Sequence, residues 1–219
     1  MAPDVLILGA FDPELAPFSA VLGESRTATV GGRRVAARVA GIGLVAAAVG
    51  ATVHLGALKP RAVVLVGTCG AYRGTGLAIG DVVVARRLVL VDPAATAGTA
   101  QFPEPMTIAA QADGPLGEAF AALGARACAV ATTLGITVDD EAAARIAEGS
   151  GAEVEHLETQ GVAMACAAGG APFAAVLAVA NFVGSRGRAE WRENHRHAEV
   201  VAAECVLRWL QRGAGGLPA

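Results

Sequence analysis

Short apolar runs alternate with longer amphipathic or alanine-rich stretches along most of the chain. Val5–Leu8, Arg33–Ala40, Ala62–Val66, Asp81–Val91, Ala127–Thr132, Val154–Leu157 and Pro172–Ala180 have strand length. Ala62–Val66 is apolar at every position, the pattern of a strand covered on both faces. Between these runs, Asp12 to about Leu22, Leu44–Leu58, Leu116–Leu123, Asp140–Glu148 and Thr159–Ala168 predict helices. Pro13 suits a first turn, Lys59-Pro60 closes the alanine-rich helix, and Asp139 or Asp140 supplies an N-cap. The stretch Pro93 to Pro115 lacks periodicity and predicts a long loop, the kind that serves as a lid or binding segment. Polar residues 184–193 lead into a last amphipathic helix that ends near Arg212. Strands alternating with helices predict an α/β fold: a three-layer α/β/α single domain over residues 1–219, with a mixed, largely parallel central sheet.

Composition narrows the function classes. The 219 residues are 54% hydrophobic, but Gly, Pro or a charge interrupts every apolar run before it reaches the length of a membrane span. Met-Ala-Pro-Asp lacks a basic start, so Val5 to Gly9 is read as a first strand and not as a secretion signal. The net charge is −3 and no basic cluster builds a face, which argues against a nucleic-acid partner. Cys69, Cys128, Cys166 and Cys205 are widely spaced in apolar contexts and read as reduced, buried thiols of a cytoplasmic protein.

Val63-Val64-Leu65-Val66-Gly67-Thr68-Cys69-Gly70-Ala71-Tyr72 passes from an apolar run into small residues, which predicts a turn whose amides can approach a ligand. Ligands of open α/β sheets bind beyond the carboxyl ends of strands. Gly9 to Glu14, Gly67 to Gly70, Glu155 to Glu158, and Asn181 all end apolar runs and are candidates for one mouth. Glu158 precedes an alanine-rich helix, so it is either an N-cap or an acceptor for a vicinal diol such as ribose presents. Glu14 lies on a first helical turn, favoured there by the helix dipole or placed there as a general base that activates water. Asn181 either makes an Asx turn or offers a carboxamide to a planar heterocycle.

The remaining polar residues carry less. His54 reads as a surface or interface residue, and the spacing of His195 and His197 makes no metal pair on a helix. Arg186, Arg188, Arg192 and Arg196 with Glu190 and Glu193 read as a solvated charged face, and Trp191 as a packing anchor or an aromatic wall. Neither G-x-x-x-x-G-K-[ST] nor G-x-G-x-x-G occurs, and no metal or cofactor is expected.

Taken together, these segments resemble the purine nucleoside phosphorylase and nucleosidase superfamily. Leu6-Ile7-Leu8-Gly9-Ala10-Phe11-Asp12-Pro13-Glu14 is similar to the first-strand motif of the nucleosidases, whose last Glu positions the attacking water. Gly41-Ile42-Gly43-Leu44 resembles the family's glycine-rich helix start, Gly67-Thr68-Cys69-Gly70-Ala71 its base- and ribose-side segment, and Ile79-Gly80-Asp81-Val82-Val83 its next strand. Glu155-His156-Leu157-Glu158 resembles the Glu-Met-Glu segment, whose final Glu binds the ribose hydroxyls. Asn181 stands where adenosine-type nucleosidases carry an Asp that protonates purine N7. Gly70 to Leu77 and Asn181 to Trp191 look like the futalosine hydrolase branch, which releases hypoxanthine from futalosine in the alternative menaquinone pathway.

The resemblance implies a nucleoside phosphorylase-like fold, a purine nucleoside as substrate and a homo-oligomer. It implies Glu14 and Asn181 as catalytic residues, and Thr68, Cys69, Gly70, Ile136, Leu157, Glu158 and Phe182 as substrate-binding residues. Bacterial phosphorylases of this superfamily place Arg at the position of Leu65 and another after the first-strand turn, where this chain has Glu14-Leu15. Phosphate needs cationic donors, so water is the expected nucleophile. An amide at Asn181 can donate to O6 of a 6-oxopurine and accept from N7–H, which leans toward hypoxanthine. Leu177 replaces a usual Arg, Ala180 a usual Ser, and Arg86 to Gly98 departs from the family pattern. A methylthioadenosine/adenosylhomocysteine-type nucleosidase, a phosphorylase and a catalytically weak nucleoside-binding relative are the alternatives.

Overall fold

A computed structural model describes residues 2–218. Its centre is one sheet of nine strands: β1 (Val5–Gly9), β2 (Thr27–Val30), β3 (Arg33–Val39), β4 (Ala62–Ala71), β5 (Val82–Leu90), β6 (Ala109–Gln111), β7 (Arg126–Thr132), β8 (Val154–Glu155) and β9 (Phe173–Phe182). The helical segments are α1 (Asp12–Leu15), a 3₁₀ turn at Ala16–Phe18, α2 (Ser19–Leu22), α3 (Leu44–Leu58), α4 (Pro93–Thr96), α5 (Gly114–Ala121), α6 (Asp140–Ser150), α7 (Thr159–Gly169) and α8 (Gly187–Gln211).

The sheet is mixed. β1 runs parallel to β3 and β4, β4 to β9, and β7 to β5 and β8, while β2–β3, β4–β8, β5–β6 and β5–β9 are antiparallel. Because β9 joins β4 to β5, and β8 and β7 complete the path back, this half of the sheet curls until it meets itself. Alternate residues of β4 serve opposite layers. Val64 and Val66 pack with Ala198, Ala202 and Val206 of α8, whereas Val63 and Leu65 pack with Ala47 and Ala51 of α3 and Val162 of α7. Both faces are therefore covered, as the uninterrupted apolar run predicts. Helices α3 and α7 meet closely at Gly161, where a Cβ would stand 2.5 Å from Leu44 O.

Several elements differ from the sequence reading. Gly67–Gly70 is not a turn: β4 continues to Ala71, because β9 pairs along it to Ala71 and β8 joins its other edge at Gly70 and Ala71. A register shift between Cys69 and Gly70 kinks the strand there. Asp12–Leu22 breaks into three short helical pieces, the middle one led in by Pro17. The segment 93–115 holds α4 and β6, and α8 begins at Gly187, inside the stretch taken as its polar lead. Asp139 is the N-cap of α6, its side chain accepting from Ala142 N.

Candidate active site

A cavity of about 640 Å³ opens beyond the carboxyl ends of β1, β4 and β9. Residues from all four segments that the apolar pattern singles out line it: Ala10, Phe11 and Glu14; Thr68, Cys69 and Gly70; Glu155 to Glu158; and Asn181. Ile42, Ile136, Gly187, Arg188, Trp191 and Arg192 complete the wall.

Glu14 is 4% exposed although it is charged chemistry on a surface helix. Its Oε2 accepts from Ala10 N at 2.6 Å and its Oε1 from Thr68 N at 3.3 Å. The carboxylate thus takes the two amides that the ends of β1 and β4 would otherwise offer an anion. Gly67 makes room for it, since a Cβ there would stand 2.5 Å from Glu14 Oε1. Burial pushes the Glu14 carboxyl from its ordinary 4.5 to about 8, against the Ala10 amide and with help from the Glu158 charge. The helix dipole is not needed to explain Glu14, because α1 is a single turn.

Glu158 occupies the N-cap position of α7 but makes no side-chain cap bond. Its Oε1 instead accepts from Gly43 N, 2.7 Å away at the start of α3. Its Oε2 lies 3.3 Å from His156 Nε2. The Glu158 side chain therefore does not cap α7 and is held at the cavity wall by Gly43 and His156.

Asn181 lies within β9, not in an Asx turn. Its Nδ2 donates to Phe182 O at 3.0 Å, which fixes which end of the amide is nitrogen. A second N–H and Oδ1 remain for a ligand. Gly70 and Gly187 flank the amide, and a Cβ on either would stand 3.0 Å from Asn181 Nδ2. Glu190 of α8 fixes the end of β9 by accepting from Phe182 N at 2.9 Å.

Glu155 is spent on structure. It accepts from Tyr72 Oη at 3.0 Å, Thr137 N at 3.1 Å and Thr137 Oγ1 at 2.6 Å. These bonds pin the 134–138 segment and so place Ile136 at the cavity. Leu157, Cys69 and Gly70 also line the cavity, whereas Phe182 does not: its ring lies under the Arg73 guanidinium, 5.3 Å from ring centroid to Cζ. Trp191 packs against the core cluster beneath α8 and also lines the cavity. Its Nε1 donates to Thr68 Oγ1 at 3.1 Å, and its ring stacks on His195 at 4.2 Å between centroids. The Trp191 bond occupies a lone pair of Thr68 and leaves its hydroxyl proton free to donate. Arg188 and Arg192, read as solvated charge, also reach the wall. Ala10, Ile42, Gly43 and His156 lie within the segments singled out, but nothing in the sequence assigns any of them an individual role.

The four cysteines are free and buried. Among the described residues no group of three or more His, Cys, Asp or Glu side chains is placed to hold a metal ion. Among them, too, no helix is long and apolar enough to cross a membrane.

A curled mixed α/β sheet with acidic and amide groups at its carboxyl mouth defines a class of small-ligand α/β proteins. The Phosphorylase superfamily model matches residues 4–211, and the chain belongs to that superfamily. No curated protein sequence matches it. Among solved structures, a methylthioadenosine/adenosylhomocysteine nucleosidase from Colwellia psychrerythraea in complex with adenine is 21% identical, with a TM-score of 0.85 over 100% of this chain and 98% of that one. The corresponding nucleosidase from Neisseria meningitidis, with methylthio-immucillin-A, is 22% identical, with a TM-score of 0.82 over 95% and 98%. A futalosine hydrolase mutant from Helicobacter pylori is 18% identical, with a TM-score of 0.81 over 92% and 96%.

Proposed function

We propose that this protein hydrolyses the N-glycosidic bond of a purine nucleoside, with futalosine, cleaved to hypoxanthine and dehypoxanthine futalosine, as its substrate. The observation that carries the reading is the convergence of Glu14, Glu158 and Asn181 on one cavity. As the glycosidic bond loosens, positive charge develops on the ribosyl ring. Glu158 accepts from the 2′- and 3′-hydroxyls and its charge stabilises that cation. The departing base takes its N7 proton from solvent water, because an amide cannot supply one, and Asn181 then holds it, with Oδ1 accepting from N7–H and the free Nδ2 proton reaching O6. Glu14 orients a water and takes its proton as the oxygen attacks the anomeric carbon.

Water is favoured over phosphate for a reason built into the wall. The Ala10 and Thr68 amides already serve Glu14, so neither remains to bind a phosphate oxygen. Leu65, where the resemblance implies an arginine in phosphorylases, is buried among apolar side chains, and Glu14-Leu15 occupies the place of the second. A second reading, a methylthioadenosine/adenosylhomocysteine-type nucleosidase, draws on the solved structures of that activity that share this fold.

The same reading includes a second copy of the chain and a reducing, cytoplasmic location, the latter supported by the four free thiols. Val45, Val49 and Val53 of α3 are each at least 60% exposed, and Ile42 and Ile136 join that apolar surface to the cavity. A partner seated on α3 would therefore also narrow the cavity mouth.

The test is release of free base from futalosine, inosine and methylthioadenosine, each with and without phosphate. Hypoxanthine from futalosine without phosphate is expected. Adenine from methylthioadenosine alone would select the second reading, a strict phosphate requirement would indicate a phosphorylase, and tight binding without turnover a binding protein.

A further inference from the structure

His156 is 5% exposed and touches Glu158 at two points. Its Nδ1 lies 3.3 Å from Glu158 N and 2.7 Å from Thr159 Oγ1. Its Nε2 lies 3.3 Å from Glu158 Oε2. A backbone N–H only donates, so Nδ1 must present a lone pair. A carboxylate oxygen accepts, so Nε2 must carry the proton. One neutral tautomer meets both demands. An imidazolium would set an Nδ1 proton against the Glu158 amide, and burial pushes the ring below its ordinary pKa, with the Glu158 charge opposing. The contact is therefore a neutral N–H donating to a carboxylate.

The backbone around this pair is already fixed. His156 N donates to Ala131 O at 2.9 Å, and Gln160 N donates to Thr132 Oγ1 at 3.1 Å. What remains free is the torsion of the Glu158 side chain. Gly43 N holds one oxygen and His156 the other, so the carboxylate cannot rotate without losing a bond. Each oxygen keeps a further lone pair.

We propose that His156 is a positioning residue: as the Nε2–H tautomer it works with the Gly43 amide to hold the Glu158 carboxylate ready for the hydroxyls of a ribosyl group. The inference rests on the nucleosidase reading. It makes His156 a determinant of preference for ribosides over 2′-deoxyribosides, acting through Glu158.

Two measurements test it. Protein labelled with ¹⁵N-histidine has four imidazoles, and a long-range proton–nitrogen spectrum at pH 7 reads the tautomer of each, with single His→Gln variants assigning them. The neutral Nε2–H form is expected at His156, and an Nδ1–H form or an imidazolium overturns the proposal. In the second arm, hypoxanthine release is followed from inosine and 2′-deoxyinosine. His156→Leu, which removes the donor, is expected to lower kcat/KM on inosine by about 10- to 100-fold and on 2′-deoxyinosine by only about 3-fold, while His156→Gln, which keeps an N–H, recovers most of the loss. Equal losses on both nucleosides overturn the positioning role, because a merely structural defect does not sense the 2′-hydroxyl. Failure of the wild type to release hypoxanthine from futalosine as well as from inosine counts against the nucleosidase reading, and the spectrum then decides the His156 assignment by itself.

Discussion

Replacing Glu14 by Gln separates what this carboxyl does for the reaction from what it does to the fold. In the folded protein its pKa is raised from 4.5 to about 8, chiefly by burial. Between those values the native state keeps a proton that the unfolded chain has released. The native state then binds more protons, so unfolding free energy falls as pH rises through this window. At about 1.4 kcal/mol per pKa unit, the loss is at most roughly 5 kcal/mol and is complete above pH 8. Glu14→Gln removes the ionisation and with it the slope. One of its two amide bonds survives, from Ala10 N or Thr68 N to the Gln carbonyl, which lowers the gain at high pH to a few kcal/mol. Urea unfolding of both proteins at pH 5, 7 and 8.5 is expected to give similar stabilities at pH 5 and a more stable variant at pH 8.5. The same substitution removes the base, so kcat falls by about 10²–10⁴. In the wild type kcat/KM rises with pH toward 8, where Glu14 ionises. Parallel pH–stability curves, or a variant that turns over normally, would refute the reasoning.

Gly67→Ala is expected to fold but to lose about tenfold or more in kcat, because its Cβ would stand 2.5 Å from Glu14 Oε1 and displace the carboxylate; circular dichroism and single-turnover assays check both halves. Asn181→Asp is expected to shift base preference from hypoxanthine toward adenine by about tenfold in relative kcat/KM, since a protonated carboxyl can donate to N7 and an amide cannot act as an acid; competition between inosine and adenosine reads it. Val49→Glu, at a position 60% exposed on α3, is expected to shift the protein from dimer to monomer in sedimentation velocity while leaving the thermal transition of the monomer in place.

Much of this site was legible because its parts are local. The strand ends at Gly9 and Asn181, the alanine-rich α3 and the Asp139 cap each announce themselves within a few residues. What was not legible depends on partners distant in sequence. Gly67–Gly70 reads as a turn by itself and becomes strand only because Glu155 and Asn181 pair with Gly70. Trp191 reads as either a packing anchor or an aromatic wall, and its bond to Thr68, 123 positions earlier, is visible only once α8 is folded. His156 lies in a recognised segment, but its contacts with Glu158 through both ring nitrogens are visible only in the folded chain. The strand β2 and its hairpin with β3 are absent from the sequence reading, although Gly31-Gly32, both with positive φ, is a hairpin signal.

The most direct measurement is the origin of the oxygen at the anomeric carbon. In ¹⁸O-water containing phosphate, the base-free sugar product is expected to carry ¹⁸O, and its rate of formation to ignore the phosphate concentration. A sugar 1-phosphate without the label would contradict the assignment of Glu14 as the group that activates water.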